Sequence, residues 1–474
     1  AWARAGCVSA PPPVAVAPVL PTESLRTLSS GPIIGSAGER GQGLAWRGVR
    51  YAAPPVGPLR WAAPRPPQPW TEPVTTTQTP EPCVQVVGAL HNRPAGDIGK
   101  LIGREDCLFV DVYTPRLSAE AARTAQLPVM VWLHGGSNLW GGAWQYDAST
   151  LATRHNLVVV VVQYRLGPLG WFSHPVLRVG TDDRAALDGS GNYGTLDTIE
   201  SLRWVQREIA AFGGDPGRVT LFGESAGGQN VAALLASPLA KGLFHRAIIQ
   251  SGLTETTPVR EAEDGAPGRN DGAIPVALRL LSPEPGSGIT AEALRALSPA
   301  QIYAAYDTER GAFDPPRVIA DGVVLPEQGI DWALSSADRF NAVPVITGTN
   351  RDELKLFYAV DPRAVRMVLG RLPRIRDPEL FDAAATYPSR AWRAHAVDTV
   401  AERMVCGGHP AVYTYRFDWD EQGRVFGTDL GELLGAAHAM EIPFVFGRFQ
   451  FLGPALDRRA FTAANAPARL ALSD

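Results

Sequence analysis

Ser225 stands in Gly223-Glu224-Ser225-Ala226-Gly227, the single G-x-S-x-G of the chain. With 48 glycines present, the pattern alone is weak. Its setting is more informative. A β-branched and aromatic run, Val219-Thr220-Leu221-Phe222, ends just before it, and a helix-forming run begins at Ala226. A serine on so tight a strand-to-helix turn lifts its Oγ clear of the sheet edge, where it can act as a nucleophile on an acyl carbon. The small residues at 223 and 227 leave room for the strained turn, and the following helix aims its N-terminus at any developing negative charge. An ordinary Gly-rich turn with a capping serine is the plainer alternative.

An acyl nucleophile needs donors for the oxyanion, a base and an acid. His134-Gly135-Gly136-Ser137 follows the run Pro128–Leu133, and its consecutive glycines let backbone N–H groups approach a substrate oxygen. The expected donors are the N–H groups of Gly136, Ser137 and Ala226, with Gly135 supporting the loop. Eight histidines are present. The chain order serine, acid, histidine restricts the base to His395, His409 or His438. His395 lies among Arg390, Trp392 and Arg393 on an expected surface helix, and His409 in a Gly-Pro turn. For the acid, Asp352 and Glu353 both follow the strand expected at 343–347, and the residue types leave the two open.

These residues must be held by a sheet. Strands are expected at 128–133, 157–163, 219–222, 247–250, 343–347 and 411–417. Leu196, Ile199, Leu202, Val205 and Ile209 recur at helical spacing and predict a helix over 196–212, stopped at Gly213-Gly214. Ala226–Leu235 is a second helix. This β-α-β alternation predicts an α/β fold with a mostly parallel sheet covered by helices on both faces. Residues 255–300 and 360–410 are expected as lid or insertion segments, and 1–21, rich in Ala, Pro and Val, as a flexible arm before a domain over 22–474.

Composition narrows the function. At 45% hydrophobic and 19% charged residues, the 474-residue chain can bury a large core. Net charge is −4, and all the basic residues except Lys100, Lys241 and Lys355 are scattered arginines. That pattern gives no nucleic-acid footprint. The aliphatic run Leu157–Val162 is too short for a bilayer, so no membrane span is expected. None of Cys7, Cys83, Cys107 and Cys406 forms a CxxC pair, and no structural zinc is expected. Ala5-Gly6-Cys7 has only a faint likeness to a lipidation site, and a plain surface cysteine is expected there. His438 and Glu441 make an i, i+3 pair without a third metal ligand. Trp140, Trp144, Trp171 and Phe172 are candidates for pocket walls or for packing.

Several ordered segments then carry a likeness. They are Gly48-Val49-Arg50-Tyr51-Ala52-Ala53-Pro54-Pro55, Glu105-Asp106-Cys107-Leu108, Gly191-Asn192-Tyr193-Gly194, Phe212-Gly213-Gly214-Asp215-Pro216 and Gly223–Gly228. Asn350-Arg351-Asp352-Glu353 and the run from His438 to Gly447 complete them. In these the chain resembles the type-B carboxylesterase and cholinesterase family of α/β hydrolases. The resemblance implies Ser225 as nucleophile, Glu353 as acid and His438 as base, with Glu224 tuning the charge on the histidine. It also implies a Cys83–Cys107 disulfide, an Arg60–Glu105 ion pair, a small-molecule ester substrate, and no metal or organic cofactor. If the disulfide forms, a secreted or periplasmic enzyme is expected, and two free thiols would favour the cytoplasm.

Family members usually continue further past the histidine with a helix bearing Trp and a Phe-Ala pair. That helix is not read before Asp474, so a short C-terminal end is expected. Asp97 stands where cholinesterases carry a cation-binding Trp, which disfavours choline esters. The alternatives to a carboxylesterase are a lipase, polyesterase or amidase of the same fold, or a catalytically silent binding module. The retained Ser225, Glu353 and His438 weigh against the last.

Overall fold

The computed structural model describes residues 21–474 except 89, 91–94, 267–270, 282–287, 307–316, 369–371 and 426. Almost all of the expected N-terminal arm, with Cys7, therefore lies outside the described residues, as do parts of 255–300 and 360–410.

Nine strands form the central sheet. In chain order they are β1 (Ser36–Ala37), β2 (Leu44–Arg50), β3 (Phe109–Thr114), β4 (Leu127–Leu133), β5 (Val158–Val162), β6 (Gly214–Glu224), β7 (Arg246–Gln250), β8 (Val345–Asn350) and β9 (Val412–Phe417). Their order across the sheet is β9-β8-β7-β6-β4-β5-β3-β2-β1. The six strands from β9 to β5 are mutually parallel. β3, β2 and β1 continue antiparallel.

The strand sequences explain why both faces are covered. In β4, Val129, Val131 and Leu133 enter one core and Trp132 the other, and in β5 Val158, Val160 and Val162 separate from Val159 and Val161 in the same way. Side chains alternate between the faces of a strand, so a continuous apolar run needs a layer on each side. One face is packed by α2 (Tyr193–Glu208), α3 (Ala226–Ala236), α4 (Gly329–Leu334) and α6 (Thr399–Cys406). The other is packed by α1 (Ser149–Arg154) and α7 (Ile442–Val445). A further helix, α5 (Pro378–Arg393), runs into a π-helical turn, Ala394–Asp398, before α6.

Helix α2 begins three residues earlier than the apolar spacing suggests and tightens to a 3₁₀ turn at Ile209–Phe212. Gly213 stops it at φ 92°, a left-handed conformation that glycine adopts without a Cβ penalty. Strand β8 runs on to Asn350 instead of ending at 347, because Thr349 and Asn350 pair with β9. Beneath α2, Asp197 accepts from Arg165 at Nε (2.8 Å), Nη2 (2.7 Å) and the backbone N (3.0 Å), a fully buried ion pair. Residues 255–300 carry short helices at Val259–Asp264, Ala273–Leu281 and Ala291–Ala296. They also hold a small strand, Thr257–Pro258, paired with Ile319–Ala320. Cys83 and Cys107 form a disulfide, and Arg60 pairs with Glu105. No helix among the described residues is long and apolar enough to cross a membrane.

Candidate active site

Ser225 occupies the turn between β6 and α3 at φ 58°, ψ −122°. A non-glycine residue is rarely held there, and surrounding structure must enforce it. Two glycines do so. A Cβ on Gly227 would sit 2.0 Å from the Leu133 carbonyl, and one on Gly223 would sit 2.6 Å from the Gly227 carbonyl. The turn is tied down by Ser225 N–H donating to the Gln250 carbonyl at 2.8 Å and Gln229 N–H donating to the Ser225 carbonyl at 2.9 Å.

The loop after β4 lies against this elbow. A Cβ on Gly135 would meet Glu224 Oε2 at 2.7 Å and the Ser225 Cβ at 3.1 Å. Gly136 at φ 103° and Ser137 at φ 57° turn the chain, and the Gly136 carbonyl accepts from Leu139 N (2.9 Å) and Trp140 N (3.0 Å). Asn138 anchors the loop to α3, donating to Gln229 Oε1 at 3.2 Å and accepting from Asn230 at 2.8 Å. The backbone N–H groups of Gly136, Ser137 and Ala226 have no acceptor among the described residues. Such free donors at a helix start suit a developing oxyanion.

Of the three late histidines, His438 is the one brought to the site. Its Nδ1 donates to Glu353 Oε2 at 2.5 Å, and its backbone N–H donates to the Glu353 carbonyl at 3.2 Å. His395 is exposed, its Nδ1 on the Ala391 carbonyl, and His409 bonds the Val343 carbonyl. The other oxygen of Glu353 accepts from Ser251 Oγ (2.6 Å), Thr349 Oγ1 (2.5 Å) and Asn350 N (2.7 Å). Asp352 faces away, accepting from Arg351 Nη2 at 2.7 Å and Ala436 N at 3.1 Å. It braces the loop that carries His438, and Glu353 takes the imidazole.

On its far side, His438 Nε2 lies 3.1 Å from Glu224 Oε1. Among the described residues the Ser225 hydroxyl makes no side-chain hydrogen bond. The imidazole is thus held between two buried carboxylates. Burial would lower its pKa, but Glu224 and Glu353 overcome that and push it up to about 9. Burial raises Glu224 to about 8. Burial also opposes the charge on Glu353, yet His438 and the surrounding donors leave it below the ordinary carboxylate value. Glu441, raised by burial to about 6, turns to Gln250 Nε2 (3.1 Å) and Asn350 Nδ2 (2.6 Å).

Three site neighbours are not evident in the sequence. Ser251 directly follows β7 and bonds Glu353. Phe357 and Trp392 set their rings 5.4 Å and 5.1 Å from the His438 ring. Trp171 and Phe172 are buried packing, Phe172 stacking on Trp61 at 4.4 Å. Trp144 lines a polar cavity of about 390 Å³ with Arg47, Asp147, Glu39 and Arg448, whose walls include none of Ser225, Glu353 and His438. Asp97 pairs with Lys100. The nearest sequence signal for Ser251 is its place directly after the strand expected at 247–250.

The family model described as "Carboxylesterase family" matches residues 22–394. Human cocaine esterase is 38% identical over 353 residues, covering 72% of this chain and 58% of that protein. Mouse acylcarnitine hydrolase is 33% identical over 444 residues, covering 86% and 74%. Among solved structures, a PNB esterase superposes with a TM-score of 0.72 at 29% identity, over 95% of this chain and 88% of that one. The Geobacillus stearothermophilus carboxylesterase EST55 gives 0.68 at 27% identity over the same shares. The chain spans little more than half the length of the first mammalian relatives, 54% for mouse carboxylesterase 1E. With a model match over most of its residues and this agreement in fold, the chain belongs to the carboxylesterase family.

Proposed function

We propose that this chain is a serine carboxylic-ester hydrolase working through an acyl-enzyme, with its catalytic domain over residues 22–474. The observation that carries the reading is Ser225 at φ 58°, ψ −122°, beside three free backbone N–H groups and the Glu353–His438 pair. His438 takes the Ser225 proton as Oγ attacks the ester carbonyl. The N–H groups of Gly136, Ser137 and Ala226 receive the oxyanion, each worth roughly 10²–10³ in rate. Glu353 fixes the tautomer and stabilises the imidazolium. His438 then protonates the departing alcohol, and water repeats the sequence to release the acid. Before substrate binds, Nε2 faces Glu224, and its bond to Ser225 forms in the substrate complex, where such contacts tighten.

The substrate is an uncharged small-molecule ester, in keeping with the modest net charge. The Cys83–Cys107 disulfide supports a secreted or periplasmic setting. The test is p-nitrophenyl acetate turnover with phosphonate labelling of the wild type and Ser225→Ala. Turnover and labelling lost together in a folded variant support the reading. Retained hydrolysis refutes it.

A further inference from the structure

Trp144, one of the aromatic residues that the sequence offers as a pocket wall, lines a cavity away from the catalytic groups. This cavity of about 390 Å³ lies on the sheet face covered by α1 and α7, where the loop after β4 meets the chain that follows α7. Small-molecule sites run from about 300 to 1,000 Å³, so its size is sufficient. Its lining differs from the usual apolar one. Two arginines, two carboxylates and a threonine stand beside the indole. Arg47 Nη2 donates to Asp147 Oδ2 at 2.7 Å, and Arg448 Nε donates to Glu39 Oε2 at 2.7 Å. The four side chains are recessed, none more than 35% exposed.

These groups are held from behind. Asp147 accepts from Ser149 N at 2.9 Å with its other oxygen. Arg47 also donates to Ser36 Oγ at 3.3 Å and lies 5.3 Å from the centre of the Tyr113 ring. Thr79 donates to the buried Asp111, which leaves its hydroxyl oxygen as an acceptor. Trp144 rests on Gly142, where a Cβ would sit 2.0 Å from its Cζ3, and the indole is still 38% exposed. The walls thus combine a flat apolar surface with fixed donors and acceptors, and their charges cancel.

That combination chooses among ligands. An apolar ligand would strip water from the guanidinium and carboxylate groups and return no hydrogen bonds. An anion would face both carboxylates, a cation both guanidiniums, and a zwitterion would compete with ion pairs already made. A sugar hydroxyl donates and accepts at once. It can bond a carboxylate and its guanidinium without parting them, while the C–H face of the ring covers the indole.

We propose that this cavity is a carbohydrate-binding site that takes one neutral pyranose unit, with Trp144 as its stacking platform and the Arg47–Asp147 and Arg448–Glu39 pairs as its hydrogen-bonding walls. It is separate from Ser225, Glu353 and His438, and it stands independently of the ester-hydrolase reading. The same pyranose can arrive as a free sugar or as one unit of a glycan chain.

The experiment is a saturation-transfer NMR titration of the full chain as wild type, Trp144→Ala, Trp144→Phe and Glu39→Gln, with thermal melting to verify the fold of each. The probes are methyl β-D-glucopyranoside, methyl β-D-galactopyranoside and N-acetylglucosamine, with cellohexaose for a glycan chain. Glycine betaine and sulfate are the zwitterionic and anionic controls. At least one pyranose binds the wild type at millimolar concentration. Trp144→Ala weakens it on the order of tenfold, the scale for loss of an aromatic anchor. Trp144→Phe keeps a ring and loses less, and Glu39→Gln loses several-fold. Should Trp144→Ala fail to fold, Glu39→Gln, which leaves the indole in place, carries the comparison. Cellohexaose binding as well as a single sugar supports a free-sugar site, and tighter binding of cellohexaose supports a glycan-chain site. No binding of any sugar up to tens of millimolar, an affinity unmoved in the folded variants, or preference for glycine betaine or sulfate overturns the proposal.

Discussion

Glu224 Oε1 lies 3.1 Å from Nε2 of His438, opposite the nitrogen held by Glu353 at 2.5 Å. Glu224, the residue before Ser225, therefore acts together with Glu353 on the charge of the His438 ring. A base acts only when unprotonated, and both carboxylates favour the protonated ring.

The sign of the pH dependence follows. Activity falls as pH drops through the His438 pKa, which is raised from 6.5 toward about 9. The acid limb of kcat/KM should lie above 6.5. Glu224→Gln removes one of the two carboxylates and should move that limb to lower pH, by roughly one to three units. An unmoved limb in pH–rate profiles of the two proteins would contradict this.

Glu353→Gln keeps the size of the side chain and removes its charge. The amide can present its NH₂ to His438 and favour the wrong tautomer. We expect kcat to fall about 10⁴-fold with KM little changed, as for loss of a triad acid generally. Steady-state kinetics on p-nitrophenyl acetate check it.

Asp197→Asn acts on stability. It leaves the Arg165 guanidinium buried without its counter-ion. Breaking a buried pair in this way costs about 3–5 kcal/mol. Chemical denaturation should show a clearly lower midpoint.

Removing the disulfide in Cys83→Ala/Cys107→Ala frees a loop with a sequence separation of 24. The loss expected for a loop of that size is about 3 kcal/mol. The melting temperature should drop in the variant, and the wild type should drop similarly under reductant.

Much of the site is legible in the sequence because its parts are local. The Ser225 elbow is written in contiguous residues, where Gly223 and Gly227 are demanded by backbone contacts of 2.6 Å and 2.0 Å. The loop at 134–137 is equally local. The choice between Asp352 and Glu353 is not local. Neighbours on one turn point opposite ways, and the decision comes from Ser251 and His438, far away in the chain. The resemblance implies Glu353, the carboxylate that meets His438, where the residue types alone leave both open. Trp392 is hidden for a different reason. Flanking arginines make its helix look solvated, but Pro388 within α5 and the π turn after it interrupt the simple helical repeat. The end of β8 is misjudged because Gly348, Thr349 and Asn350 look like a loop until β9 pairs with them.

The order of the site along the chain has a consequence in time. The oxyanion loop, Ser225, Ser251 and Glu353 follow four neighbouring parallel strands, and His438 comes only after a fifth, β9. During synthesis Ser225 and the N–H groups of Gly136, Ser137 and Ala226 emerge well before His438. On the proposed mechanism, a nascent chain gains its base only once the stretch following β9 has been made.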